Sequence, residues 1–285
     1  MPRLALLVLT LVITTVHSFA APTPDAVIEY KKIDGDALTL HIFNPPNHKA
    51  TDTRPAIVFF FGGGWKGGSP SHFYPQSKYL ADREMVAICV EYRTEQSHGT
   101  TPAECVKDGK SAMRWVRSHA KELGIDSNQI VAGGGSAGGH VAAAMGTVKG
   151  FNEEGEDTSV SCRPNALVLF NPLYDNSETG YGFDRISDYW EAFSPMHNLD
   201  QDTPPTTVFL GTKDKLIPVA TAEDFKKRME ALGIRSDLHL YQDQPHGFFN
   251  KAKYNETVYQ MDLFLTELGF LTGAPAMAPT TPTKK

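Results

Sequence analysis

Between Val27 and Phe43, apolar and polar positions alternate on either side of Asp34-Gly35. Alternation has the two-residue period of a half-covered strand, and Asp-Gly is a favoured tight hairpin turn. The pattern predicts that the domain opens with an antiparallel pair of strands. A polar, proline-containing connection follows at 44–54, and then the pattern changes. Apolar residues now come in short, largely continuous runs at 56–61, 86–90, 129–132, 166–170, 207–210 and 238–241. Such runs suit strands covered on both faces, as in a parallel sheet.

Helical periodicity fills the gaps between these runs. Thr101-Pro102-Ala103-Glu104 supplies an N-cap, a proline in the first helical position and a capping-box glutamate. Val106, Met113, Val116, Ala120 and Leu123 follow on one face, and Gly124 offers a stop. Segments 222–232 before Gly233 and 256–268 before Gly269 repeat the plan. Strands alternating with helices after an antiparallel start predict one α/β domain with a mostly parallel sheet and no internal repeat.

The two ends read differently from the middle. Arg3, a largely apolar run at 4–16 and the small residues Ser18 and Ala20 form a signal-peptide pattern over 1–20. The run is short for a bilayer, so the mature chain is expected to be secreted or periplasmic, with no stable membrane insertion. The domain is then expected over 21–272, with a disordered Pro- and Thr-rich tail at 273–285. Losing Arg3 takes the formal charge from −6 to −7, and no basic block is interleaved with aromatics, so nucleic acid is not an expected partner. The cysteines Cys89, Cys105 and Cys162 show no metal-ligand spacing. Cys89 lies in an apolar strand run and reads as a buried thiol. That leaves Cys105 and Cys162 as the pair an oxidising compartment could join, with the free state equally open.

Four separated segments fit one chemistry. Gly134-Gly135-Ser136-Ala137-Gly138 is a G-x-S-x-G sequence between an apolar run and a small-residue helix. A nucleophile on such a sharp strand-to-helix turn needs neighbours without side chains, and the helix start aims N–H groups at the reacting oxygen. Neither a Walker lysine nor G-x-G-x-x-G with a later acid accompanies it, which argues against a phosphate loop. Phe61-Gly62-Gly63-Gly64-Trp65 ends the first buried run, and the amides of Gly63 and Gly64, with that of Ala137, are the expected oxyanion donors. Asp214, just after the run at 207–210, is the expected acid, with Asp175 as a competitor. His246, in a loop after the last run, is the expected base. His239 reads as a strand residue, and His140, one turn below Ser136, as support for the elbow. The order Ser, Asp, His separates this arrangement from trypsin-like and subtilisin-like chains.

On these motifs the chain resembles the α/β-hydrolase superfamily over 26–271, in the esterase/lipase branch. That branch includes hormone-sensitive-lipase-like esterases and acetyl or feruloyl carbohydrate esterases. The resemblance implies a mostly parallel central sheet with helices on both faces and an antiparallel N-terminal hairpin. It also implies acyl transfer through Ser136, His246 and Asp214, with no cofactor or metal. Two departures stand out: Phe61 replaces the histidine of the usual His-Gly-Gly-Gly, and the elbow reads GGGSAGG rather than GDSAGG.

The substrate is less legible. Tyr174, Tyr181 and Trp190 fall in a long segment at 171–199 between two core runs, and Trp65 follows the glycines. These four are the candidate substrate contacts, set against the alternative that they pack in the core. Small-molecule or polysaccharide-linked esters are the expected substrates. The rival readings are a serine peptidase of prolyl-oligopeptidase type, whose usual propeller has no counterpart here, and a non-catalytic receptor on the same fold, which retention of His246 opposes.

Overall fold

The computed structural model describes residues 21–278. The expected signal segment 1–20 and residues 279–285 of the tail lie outside the described residues.

Eight strands form one sheet: β1 (Ala26–Ile33), β2 (Asp36–Phe43), β3 (Arg54–Phe60), β4 (Val86–Val90), β5 (Ile125–Gly135), β6 (Ala166–Phe170), β7 (Thr206–Gly211) and β8 (Ser236–Tyr241). Their spatial order is β1-β2-β4-β3-β5-β6-β7-β8. The β1–β2 and β2–β4 pairs are antiparallel, and every later pair is parallel. The hairpin and the six runs are therefore strands as expected. β5 is longer than the expected 129–132. Gly133, Gly134 and Gly135 stay in the ladder, opposite Phe59 and Phe60 on one side and Val168, Leu169 and Phe170 on the other. Ladder bonds need only backbone, and a side chain at Gly133 would stand 2.6 Å from the Phe59 ring.

The helices are α1 (Tyr74–Asp82), α2 (Glu95–His98), α3 (Pro102–Ser118), α4 (Ala137–Thr147), α5 (Trp190–Phe193), α6 (Val219–Ala231) and α7 (Tyr254–Glu267). The capping box at Thr101 and Glu104 is formed. α3 ends at Ser118, earlier than the Gly124 stop, and Gly124 instead turns the chain into β5 with φ +64°.

Alternate residues of β3 enter two separate cores. Ala56, Val58 and Phe60 pack with Val106 and Met113 of α3, Val141 of α4 and Phe225 of α6. Ile57 and Phe59 pack with Leu80 of α1 and Met261 and Phe264 of α7. Helices thus cover both faces, which explains why the parallel strands are apolar without alternation. Among the described residues, no helix is long and apolar enough to cross a membrane.

The structure also places the cysteines and the start of the C-terminal tail. All three thiols are free. Cys105 sits in the first turns of α3, with Sγ donating to the Arg93 carbonyl at 3.2 Å. Cys162 borders a surface pocket with Lys110 and Arg114, later along the same helix. The two thiols face different surroundings and are not joined. At the C-terminus, residues 273–278 lie against the body: the Gly273 carbonyl accepts from Arg83, the Ala276 amide donates to Tyr79 Oη, and Met277 packs on the second core.

Candidate active site

β5 runs directly into α4 through Ser136, whose backbone has φ +55° and ψ −121°. Non-glycine residues avoid this region, and holding one there costs roughly 1–3 kcal/mol, so the surroundings must enforce it. The Ser136 amide donates to the Phe170 carbonyl at 2.9 Å, and the Ser136 carbonyl accepts from His140 at 3.0 Å and Leu173 at 3.2 Å. A side chain at Gly138 would collide with the Phe60 and Phe61 carbonyl oxygens, and one at Gly134 with the Gly138 carbonyl. These two glycines let the turn close.

Asp214 leaves the end of β7, and His246 lies in the loop after β8. The buried Asp214 carboxylate commits Oδ1 to the amides of Leu216 and Ile217, at 2.8 and 3.1 Å. Oδ2 accepts from His246 Nδ1 at 2.7 Å. That bond leaves the Nε2 lone pair facing Ser136 Oγ, at 2.9 Å. The expected three residues are therefore brought together. Asp175 is not with them; its Oδ1 accepts from Ser177 N at 3.0 Å.

Asn171 was not singled out from the sequence. It follows β6 with φ +36°, is buried, and receives the Gly247 amide on Oδ1 at 3.2 Å. Its Nδ2 stands 3.3 Å from His246 Nε2. The polar side chain immediately beyond an apolar strand was the signal that could have found it.

The glycine loop presses on the elbow: a side chain at Gly62 would lie 3.1 Å from Ser136 Cβ. Gly63 and Gly64 have φ of +141° and +64° and line one cavity with Ser136. Ala137 is buried as the first residue of α4. Phe61 braces the loop in place of the histidine. Its ring stacks on Tyr92 at 4.0 Å, and Tyr92 Oη donates to the Phe61 carbonyl at 2.5 Å.

The cavity measures about 580 Å³ and is lined by Asn171, His246, Tyr181 and Phe249 as well as the glycines, with His72 and Lys251 also bordering it. Burial pushes the His72 imidazole below its ordinary range. Tyr181 and Leu216 divide this cavity from a pocket of about 170 Å³ lined by Tyr174, Asp175 and Ile217. Of the four candidate substrate contacts, only Tyr181 borders the main cavity. Tyr174 borders the smaller one, but it is buried and stacked on Phe225 at 4.4 Å. Trp65 is fully buried: φ +60° turns its indole inward against His140 and Phe193. Trp190 packs on Phe183 and His197 and borders neither space.

His140 supports the elbow from beneath. Its Nε2 meets the Phe193 carbonyl at 3.2 Å, which ties α4 to the 171–199 segment, and burial pushes its pKa down to about 3. His239 stacks on Phe209 at 5.3 Å, in keeping with a structural strand residue. Among the described residues no cluster of His, Cys, Asp or Glu could hold a metal.

Residues 40–175 match the BD-FAE family and residues 179–262 the dienelactone hydrolase family. Esterase LipC of Mycobacterium tuberculosis is 29% identical over 247 residues, covering 76% of this chain and 59% of its own length. An acetylxylan esterase of Xylanibacter ruminicola is 28% identical over 213 residues, covering 68% of this chain and 41% of its own length. The chain thus spans about half the length of these relatives. Solved structures match it more fully. The apo form of Thermogutta terrifontis esterase 2 is 42% identical with a TM-score of 0.84, covering 90% of this chain and 99% of that one. The same esterase phosphonylated by cyclosarin is 43% identical with a TM-score of 0.83, covering 87% and 96%. The chain belongs to the esterase/lipase branch of the α/β-hydrolase superfamily.

Proposed function

We propose that the protein is a serine-dependent carboxylic ester hydrolase. The observation that carries this reading is the continuous chain of hydrogen bonds from Ser136 Oγ through His246 to the buried Asp214, opening on a cavity bordered by Gly63 and Gly64. His246 takes the Ser136 proton as Oγ attacks the ester carbonyl. The amides of Gly63, Gly64 and Ala137 receive the charge that develops on the carbonyl oxygen. His246 then returns the proton to the leaving alcohol. Water, activated by the same imidazole, releases the acid and restores Ser136. Asp214 holds the tautomer and stabilises the imidazolium.

A cavity of this size suits a small ester or the acylated end of a larger molecule. The acetylxylan esterase relative supports including O-acetylated polysaccharide among the substrates. The charge, apolar run and small residues at the N-terminus support export to the periplasm or beyond.

The test is a panel of p-nitrophenyl acetate, butyrate and octanoate beside acetylated xylan, methyl ferulate and an aminoacyl-prolyl anilide, run with wild type and Ser136→Ala. We expect ester turnover that Ser136→Ala reduces by roughly 10⁴-fold or more. Turnover that persists in Ser136→Ala rejects the nucleophile. Turnover of the anilide alone rejects the esterase in favour of a peptidase.

A further inference from the structure

Three glycines in succession give the 62–65 loop great backbone freedom, so its order must come from its contacts, of which the Lys66 amide donating to the Gly63 carbonyl at 3.0 Å is the local one. One contact comes from the 171–199 segment. Arg185 closes the short turn Phe183–Arg185 and donates from Nη1 to the Gly64 carbonyl at 2.6 Å. Its Nη2 meets Glu95 Oε2 at 3.1 Å, and the guanidinium carbon lies 5.7 Å from the Trp65 ring centroid. The other anchor is α2: the Glu95 and Gln96 amides donate to the Trp65 and Lys66 carbonyls at 3.1 and 2.8 Å. Arg185 therefore joins the 171–199 segment, from which Asn171 and Tyr181 line the cavity, to the glycine loop and the α2 anchor.

The carbonyl it holds is the sensitive one. Trp65 sits at φ +60°, where an aromatic side chain is unfavourable. Rotation of the Gly64–Trp65 peptide would relieve that strain and carry the Gly64 carbonyl away from its present direction. A charge-assisted bond to that oxygen opposes the rotation. Gly64 cannot be stiffened by a side chain of its own, because a Cβ there would lie 2.7 Å from Tyr181 Oη. The Arg185–Glu95 pair is half-exposed and contributes little alone; the bond to Gly64 is the part that acts on the loop.

We infer that Arg185 is a positioning residue for the oxyanion-binding loop: by pinning the Gly64 carbonyl it fixes the Gly64–Trp65 peptide, the exit of the turn that carries the Gly63 and Gly64 amides. The 171–199 segment thereby governs the rate of the chemical step as well as lining the cavity through Asn171 and Tyr181. This rests on the proposed acyl-transfer reading of Ser136.

The test compares wild type, Arg185→Ala, Arg185→Lys and Ser136→Ala on p-nitrophenyl acetate. Thermal unfolding and the rate of Ser136 labelling by an organophosphonate are measured alongside. Displaced oxyanion donors lower kcat rather than binding. Arg185→Ala should therefore lose about tenfold to a hundredfold in kcat, with KM within about threefold and labelling slowed in parallel. Arg185→Lys keeps the charge but only a single-point donor, and should lose about threefold to tenfold with its melting temperature unchanged. If Arg185→Ala does not fold, the lysine variant decides. A kcat within twofold of wild type in the folded variants, or a loss carried by KM, overturns the inference. Full activity in Ser136→Ala overturns the acyl-transfer reading instead, so the two failures are distinct.

Discussion

Asn171 and Ser136 converge on one atom of His246: Asn171 Nδ2 stands 3.3 Å from Nε2, and Ser136 Oγ 2.9 Å. The Asn171 carbonyl oxygen meanwhile receives the amide of Gly247, the next residue in the histidine loop. One buried side chain thus holds the imidazole and its backbone together. Asn171→Ala would release both and leave the Gly247 amide without that acceptor. We expect kcat on p-nitrophenyl acetate to fall about tenfold, the equivalent of roughly 1.4 kcal/mol, with KM little changed. Steady-state kinetics on the purified variant check this. A kcat equal to wild type would mean that Asp214 and Ser136 position the ring unaided.

The strands and the Ser136, Asp214 and His246 set were legible because each depends on local signals. Apolar runs report burial, and the residues sit where strand ends converge at the carboxyl edge of a parallel sheet. Trp65 was misleading because a left-handed φ decided the direction of its side chain, and nothing in an aromatic residue after three glycines reveals that sign. Gly134 and Gly135, expected at the strand-to-helix turn, remain in β5, since ladder bonds carry no side-chain signature. Arg185 was invisible for another reason: its partner is a backbone oxygen 121 positions away. The Cys105–Cys162 possibility could be judged only once the two thiols had been located relative to α3.

Gly138 closes the elbow through space rather than through backbone freedom. A methyl there would drive into the carbonyl oxygens of Phe60 and Phe61, and backbone cannot yield as a flexible side chain can. We expect Gly138→Ala to lose about 2–4 kcal/mol of stability, seen as a fall of roughly 5–12 °C in melting temperature. Gly150→Ala is the matched control, because a methyl at that exposed site meets nothing within 4 Å. Its melting temperature should stay within a degree or two of wild type. Equal melting curves for the two variants would remove the steric account of the motif.

His140 makes stability depend on pH in a direction that can be worked out. Its ring is walled by Trp65 and Phe193, and burial lowers its pKa from 6.5 to about 3. The folded protein therefore keeps His140 neutral, while the unfolded chain takes up a proton below about pH 6.5. Between those values the unfolded state binds more protons, so stability rises with pH through the window. The contribution is complete above pH 6.5 and is lost progressively toward pH 3. His140→Gln retains a donor for the Phe193 carbonyl but does not titrate. The variant should be less stable than wild type at pH 7.5, with the gap narrowing by about 2–3 kcal/mol at pH 4.5. Urea unfolding of both proteins across that range measures the gap. Parallel stability curves would show that the His140 site admits a proton without loss of the packing beneath Ser136.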